Sequence, residues 1–212
     1  MSNISCSIKL DGGSSEISRL ILEALVPEVE IYLRKVFNKI QIDIKNMIIE
    51  AIVASPEYSS LLSGTLKAEF GLPDSQSRLE TILSFWKMID IEYRNVSTNG
   101  NKLSGGFSIG MIQSDYNDVL GSSAAVLVTE KGQDLPWLEW LLLFGDKKII
   151  KNYSVSFGDH KNSRTGMAIM KGSVSGKWGV PSQYSGSAND NWITRAIDSV
   201  DSNIEQLISQ AI

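Results

Sequence analysis

From Ser14 to Ser55 apolar residues recur at three- and four-residue intervals, the spacing that predicts helix. Ile17, Leu20, Ile21 and Ala24 form the first stripe, with Ser14 or Ser15 as the cap. Pro27 has no amide hydrogen to give, so a kink or short break is expected there. A longer run follows through Ile31, Val36, Phe37, Ile40, Ile44, Met47, Ile48 and Ile52, and it stops at Ser55-Pro56. Glu30, Arg34, Lys35, Lys39, Asp43, Lys45 and Glu50 fill the other positions, which describes an amphipathic helix covered on one side.

Residues 56–72 read as one or two short helices closed by Gly71 and Pro73. Leu79, Ile82, Leu83 and Trp86 give another helical stripe, after which the pattern changes to alternation. Ile89, Ile91, Tyr93 and Val96 face one way and Asp90, Glu92 and Arg94 the other, as in a half-buried strand. Asn99-Gly100 supplies a turn into a second strand through Leu103, Phe107, Ile109 and Met111. Residues 124–128 suit a short buried strand, and 135–145 an apolar helix with Asp134 as cap, Pro136 in the first turn and Gly145 as stop. Ile149, Tyr153, Val155 and Phe157 pair with 167–174 as a further hairpin. The last stripe, Ile193, Ala196, Ile197, Val200, Ile204, Leu207, Ile208 and Ala211, predicts a closing helix capped by Asn189 or Asp190. Together these elements predict a single α+β domain over residues 1–212. Its antiparallel β-sheet is expected to pack against a long N-terminal helix, a central apolar helix and a C-terminal helix.

Composition narrows the function classes. A chain of 212 residues with 42% hydrophobic content can bury a full core. Twenty Lys and Arg against 24 Asp and Glu leave a net charge of −4, without the basic excess that nucleic-acid binding uses. The lone Cys6 and lone His160 are too few for a closed zinc site, so no metal is expected. No apolar run is long enough to span a bilayer, and the N-terminal residues lack a signal-peptide pattern; a soluble, unexported chain is expected.

Chemistry-bearing motifs are sparse. Ser84 and Lys87 match an S-x-x-K spacing, but within a helical stripe and without the partner motifs of serine acyl enzymes. Asp159, His160 and Ser163 lie in one polar loop, whereas catalytic triads draw their members from separate elements. Phosphate-binding glycine loops, nucleophile elbows and H-E-x-x-H are absent from the sequence. The sequence therefore predicts no catalytic residue and no cofactor.

The most specific pattern lies between Ser163 and Ala196. It begins Ser163-Arg164-Thr165-Gly166, continues through Met167-Ala168-Ile169-Met170 and Trp178-Gly179-Val180-Pro181, and passes a Gly/Ser loop to Asn189-Asp190-Asn191-Trp192-Ile193. With Ser63-Gly64-Thr65-Leu66-Lys67 at a helix start, it resembles the head-tail joining proteins of tailed bacteriophages, the tail-completion and neck or connector proteins. That resemblance implies a non-enzymatic virion protein, assembled in the host cytoplasm, that forms a homo-oligomeric ring at the head-tail junction. The implied partners are other copies of the chain, portal or adaptor proteins, and tail tube or sheath proteins, with no membrane and at most passive contact with DNA in the ring lumen. Trp178, Pro181, Tyr184, Trp192 and Arg164 are the candidate subunit-interface residues, because aromatic and arginine side chains make strong interface anchors. The rival readings are an enzyme such as a hydrolase, which needs a concave polar pocket, and a cytoplasmic adaptor.

Overall fold

The computed structural model describes Ile8 and residues 15–87, 91–109 and 116–211. The expected cap at Ser14, the strand positions Ile89, Asp90 and Met111, and Cys6 lie outside the described residues, as do the side chains of Phe107 and Ile109. The fold is α+β, with helices and short antiparallel strand pairs.

Helix α1 runs unbroken from Ser15 to Ala54, 40 residues with Pro27 inside it. The expected break does not occur. An interior proline costs about 3 kcal/mol of lost hydrogen bond and steric clash. On both sides of it α1 buries apolar side chains, Leu22 before and Leu33, Val36, Ile40, Ile44, Ile48 and Ile52 after, at no more than 8% exposure each. That burial offsets the penalty, at roughly 1.5–3 kcal/mol for each such side chain.

Backbone contacts divide the chain into two compact units where one domain was expected: Met1–Met47, Ile89–Met111 and Val200–Ile212 in the first, Ile48–Met88 and Ile112–Ser199 in the second. In the first unit, β1 (Ile91–Asn99) and β2 (Lys102–Ile109) form an antiparallel hairpin whose turn contains Gly100 at φ 60°. The register shifts between Arg94 and Ser97. There Gly105, at φ 155°, lies so close to the facing strand that a Cβ would stand 2.6 Å from the Val96 Cα, so this bulge requires glycine. Leu22 and Leu33 of α1 make one small core with Val96 and Leu103 of the hairpin, flanked by Val26, Val29 and Tyr93. Helix α8 (Asp201–Ala211) buries Ile204 and Ile208 in the same unit, and the Tyr32 hydroxyl donates to its Ala211 carbonyl at 3.1 Å.

The second unit starts where the sequence places a helix end. Ser55 caps α2 (Pro56–Ser63) by accepting from the Tyr58 amide, and Pro56 occupies the first turn where no amide is needed. Helix α3 (Thr65–Phe70) stops at Gly71, which is left-handed at φ 67°. Helices α4 (Ser75–Lys87) and α5 (Asn117–Leu120) follow, then the two-residue pair β3 (Leu127–Val128) and β4 (Asp134–Leu135). Arg78 of α4 holds the segment before β3 by donating to the carbonyls of Ser123, Ala124 and Val126 at 2.7–3.2 Å.

The apolar helix α6 (Trp137–Leu143) buries Trp137, Leu138, Leu141 and Leu142, and the Trp137 indole donates to the Ala124 carbonyl at 2.9 Å. Its cap is not Asp134, since Pro136 holds the N-cap position without a side-chain bond. Strands β5 (Ile150–Phe157) and β6 (Ala168–Trp178) pair antiparallel, and α7 (Trp192–Asp198) completes the unit. Three differences from the sequence reading stand out. Among the described residues the strands form three separate two-stranded pairs instead of one sheet. The expected single C-terminal helix is two, α7 and α8, separated at Ser199–Val200. The cap of α7 is Asn191 and not Asn189 or Asp190.

Candidate functional site

The region from Arg164 to Arg195 belongs to the second unit, and the structure places its five candidate interface residues differently from one another. Trp178 ends β6 and is 5% exposed. Its ring packs against Phe70 and Trp140, both at 5.8 Å between centroids, and its indole donates to the Glu69 carboxylate at 2.7 Å. Trp192, at the start of α7, is 0% exposed and donates its indole hydrogen to the Ser55 hydroxyl at 2.6 Å. These two tryptophans are core groups of their own chain, which corrects their assignment as surface anchors. Each has both a hydrophobic bed and an acceptor for its one polar atom, buried at Ser55 and half-buried at Glu69.

Pro181 and Tyr184 share a turn in which the Tyr184 amide donates to the Pro181 carbonyl at 2.9 Å, and both side chains are half-buried. Arg164 is exposed. Of the five residues, Arg164, Pro181 and Tyr184 keep surface for a neighbour.

The same region contains a polar network that periodicity did not disclose. Asn191 and Thr194 form a capping box: the Asn191 side chain accepts from the Ile193 and Thr194 amides, and the Thr194 hydroxyl accepts from the Asn191 amide at 2.8 Å. Tyr116 exchanges hydrogen bonds with the Asn191 side chain at 2.9 and 3.3 Å. Arg195 is drawn inward to Glu57 at 2.7 Å and Asp190 at 2.8 Å, with Glu57 only 5% exposed. Burial lowers the Arg195 guanidinium, but the hydrogen bonds and charges of Glu57 and Asp190 outweigh it and hold the group above its usual range. An N-x-x-T start preceded by Asp190 and a Glu beside Pro56 are the available signals, and neither says that the two meet.

In the polar loop at 159–163, the Ser163 and His160 side chains make separate contacts. The Ser163 hydroxyl donates to the Ala168 carbonyl at 2.6 Å, while the His160 Nε2 faces Ser156 Oγ at 3.4 Å. Ser84 donates to the Thr81 carbonyl one turn back in α4. No group of three or more His, Cys, Asp or Glu residues among the described residues is placed to hold a metal ion.

The first unit presents a surface of another kind. The helix turns about 100° per residue, so Leu22, Val26, Val29 and Leu33 share one face of α1 and pack on the hairpin. Ile17, Leu20, Ile21, Leu25 and Ile31 fall within an arc of about 140° on the other side, and they are 37–67% exposed. The stripe predicted to be buried at the start of α1 is thus the outward one. Ile42 continues that face at 59% exposure, and its interspersed charges include Glu28 and Lys35.

A clamp fixes the inward face. Glu30 accepts from the Val96 amide at 2.8 Å, the Tyr93 hydroxyl at 3.0 Å and Arg34 Nε at 2.6 Å, and Arg34 also donates to the Asn95 side chain and lies 4.6 Å over the Tyr93 ring. Burial pushes the Glu30 carboxyl up, but these three donors and the Arg34 charge outweigh it, so Glu30 is held below the usual carboxylate range. Tyr93 is pushed up to about 12, first by burial and then by the Glu30 carboxylate.

The signs follow by linkage. The Glu30 contribution is present at neutral pH and is lost as pH falls through the acidic range. The Tyr93 contribution is present below tyrosine's ordinary value of 10.0 and is lost as pH rises toward 12. An ultraviolet titration should show one phenol near 12, and Glu30→Gln should bring it down and flatten the acid limb of the stability curve. A wild-type Tyr93 titrating at its ordinary value would show that the clamp does not form.

No family model, curated protein or solved structure matches this chain. No helix among the described residues is long and apolar enough to cross a membrane.

Proposed function

We propose that this chain is a non-enzymatic structural subunit that works by associating with copies of itself. The observation that supports this reading is the second apolar face of α1. Five large aliphatic side chains between Ile17 and Ile31 stand 37–67% exposed along about 21 Å of helix. A contiguous apolar strip of that kind is a contact surface, whereas single exposed hydrophobics are ordinary. The face carries both an acid, Glu28, and a base, Lys35, so a different patch of a neighbouring copy can pack on it without a forced like-charge contact. The resemblance of the 163–196 and 63–67 segments to phage head-tail joining proteins gives the reading its setting. In that setting the subunits close into a ring at the head-tail junction through heterologous contacts, bridging portal or adaptor and tail tube or sheath proteins. Arg164, Pro181 and Tyr184 are the remaining surface candidates for the joining contacts.

Light-scattering mass measurement on the purified chain tests the first part. The wild type should exceed the single-chain mass, and Leu20→Glu with Ile31→Glu should reduce it to one chain while leaving the helical circular dichroism unchanged. A wild type that stays a single chain at tens of micromolar would reject self-association through α1. Mass spectrometry of purified virions tests the second part, and absence of the chain from the particles would reject the joining role.

A further inference from the structure

The geometry points to a cleft in the second unit as a binding site for a monocarboxylate that carries one apolar group, independently of any self-association. The cleft has a volume of about 380 Å³ and lies between the end of α3, the turn joining β3 to β4, and the β5–β6 pair. Phe70, Trp140 and Trp178 form its aromatic side, and Glu69, Glu130 and Arg164 are its charged groups together with Lys131.

Arg164 is the group that asks for a ligand. Arg19, Arg34, Arg78 and Arg195 each hold a carboxylate at 2.6–2.8 Å, while Arg94, exposed on β1, and Arg164, at the cleft, make no ion pair or hydrogen bond among the described residues. It also lies close against the backbone. Its guanidinium rests on Gly71, where a Cβ would stand 2.8 Å from Nη2 and 2.9 Å from Nε, so only glycine allows this approach. The loop carrying it is tied by the Ser163 amide to the His160 carbonyl at 2.8 Å and by the Ser163 hydroxyl to the Ala168 carbonyl at 2.6 Å. An unpaired guanidinium at the edge of a cleft presents the planar fork of donors that a carboxylate can take in a bidentate pair.

The surroundings select the ligand's charge and size. Two acids and two bases leave the cleft near neutral, so a dianion would meet Glu69 and Glu130 with little net attraction while a monoanion can pair with Arg164. Burial lowers the Arg164 guanidinium, and the Glu130 charge acts against that lowering without contacting it. Burial also pushes the Glu69 carboxyl up, opposed by the Trp178 indole that donates to it. About 380 Å³ is at the small end for ligand sites and suits a single amino-acid-sized group. A free acid and the terminal carboxylate of a peptide share this chemistry.

Titration of the full chain with N-acetyl-leucine, followed through the indole ¹⁵N–H resonances, tests the site. The Trp178 resonance should shift saturably while that of Trp192 stays fixed. N-acetyl-leucine amide and the Arg164→Met variant should each bind at least tenfold more weakly, and Arg164→Lys should retain part of the affinity. An unshifted Trp192 resonance in the variants confirms that they fold. A short peptide ending in leucine that binds as well as the free acid assigns the site to chain termini, and one that fails to bind assigns it to small acids. No saturable shift up to about 10 mM, or equal binding by the acid and the amide, would overturn the proposal.

Discussion

Trp192→Ala should lower the unfolding free energy by about 3–5 kcal/mol, the range for deleting a large aromatic from a closed core. The indole is 0% exposed, lies 6.5 Å from Tyr58, and donates to Ser55 at 2.6 Å. Its removal leaves a cavity lined by α2 and α7 together with one unmet hydrogen bond. Trp192→Phe separates these terms, because most of the ring remains and Ser55 still donates to Ile52 and accepts from Tyr58. That variant should lose far less, the bond itself contributing about 1 kcal/mol. Urea unfolding read by far-ultraviolet circular dichroism measures both. An unchanged midpoint for Trp192→Ala would return the residue to the surface and with it the interface role assigned from sequence.

A second large loss is expected for Arg195→Met. Glu57 would remain 5% exposed with its 2.7 Å partner gone, and breaking a buried pair from one side costs about 3–5 kcal/mol. Arg195 is itself 36% exposed, so water can reach its side of the gap and the lower end, about 3 kcal/mol, is the expected value. Combining Arg195→Met with Glu57→Leu should recover most of that loss, since replacing both partners by apolar groups removes the stranded charge. If the double variant is no more stable than the single, the loss comes from packing of the arginine stem or from Asp190 and not from the buried carboxylate.

Local chemistry was legible in the sequence where a residue acts on its own neighbours. The stop at Ser55-Pro56, the apolar helix after Pro136 and the hairpin at Asn99-Gly100 all depend on caps, turns and short-range periodicity, and all are present. What failed depends on which of two acceptable surfaces meets the rest of the chain. The first turns of α1 are apolar on opposite sides, so spacing alone could not choose Leu22 over Ile17, Leu20 and Ile21; the hairpin residues Val96 and Leu103 make that choice. Of the kink or short break expected at Pro27, the break is absent, because the local cost of the proline is plain in the sequence while the burial that offsets it is tertiary. Trp178 and Trp192 were read as anchors from residue type, but their acceptors, Glu69 and Ser55, lie 109 and 137 positions away. Of the candidate cleft, Arg164 was singled out, yet nothing in its neighbourhood announces that Gly71 lies beneath it.

The Ser55 hydroxyl ties the order of synthesis to the order of folding. Its bonds to Ile52 and Tyr58 can form as soon as that part of the chain leaves the ribosome, because they span only three residues each. Its third bond waits for Trp192, and the neighbouring Glu57 waits for Arg195. Closing contacts across almost 140 residues is slow compared with a helical turn. A nascent chain therefore carries a capped α2 with its apolar side uncovered until those residues emerge. A ribosome stalled before residue 192 would hold that surface open to aggregation, and the exposure ends once Trp192 and Arg195 can reach Ser55 and Glu57.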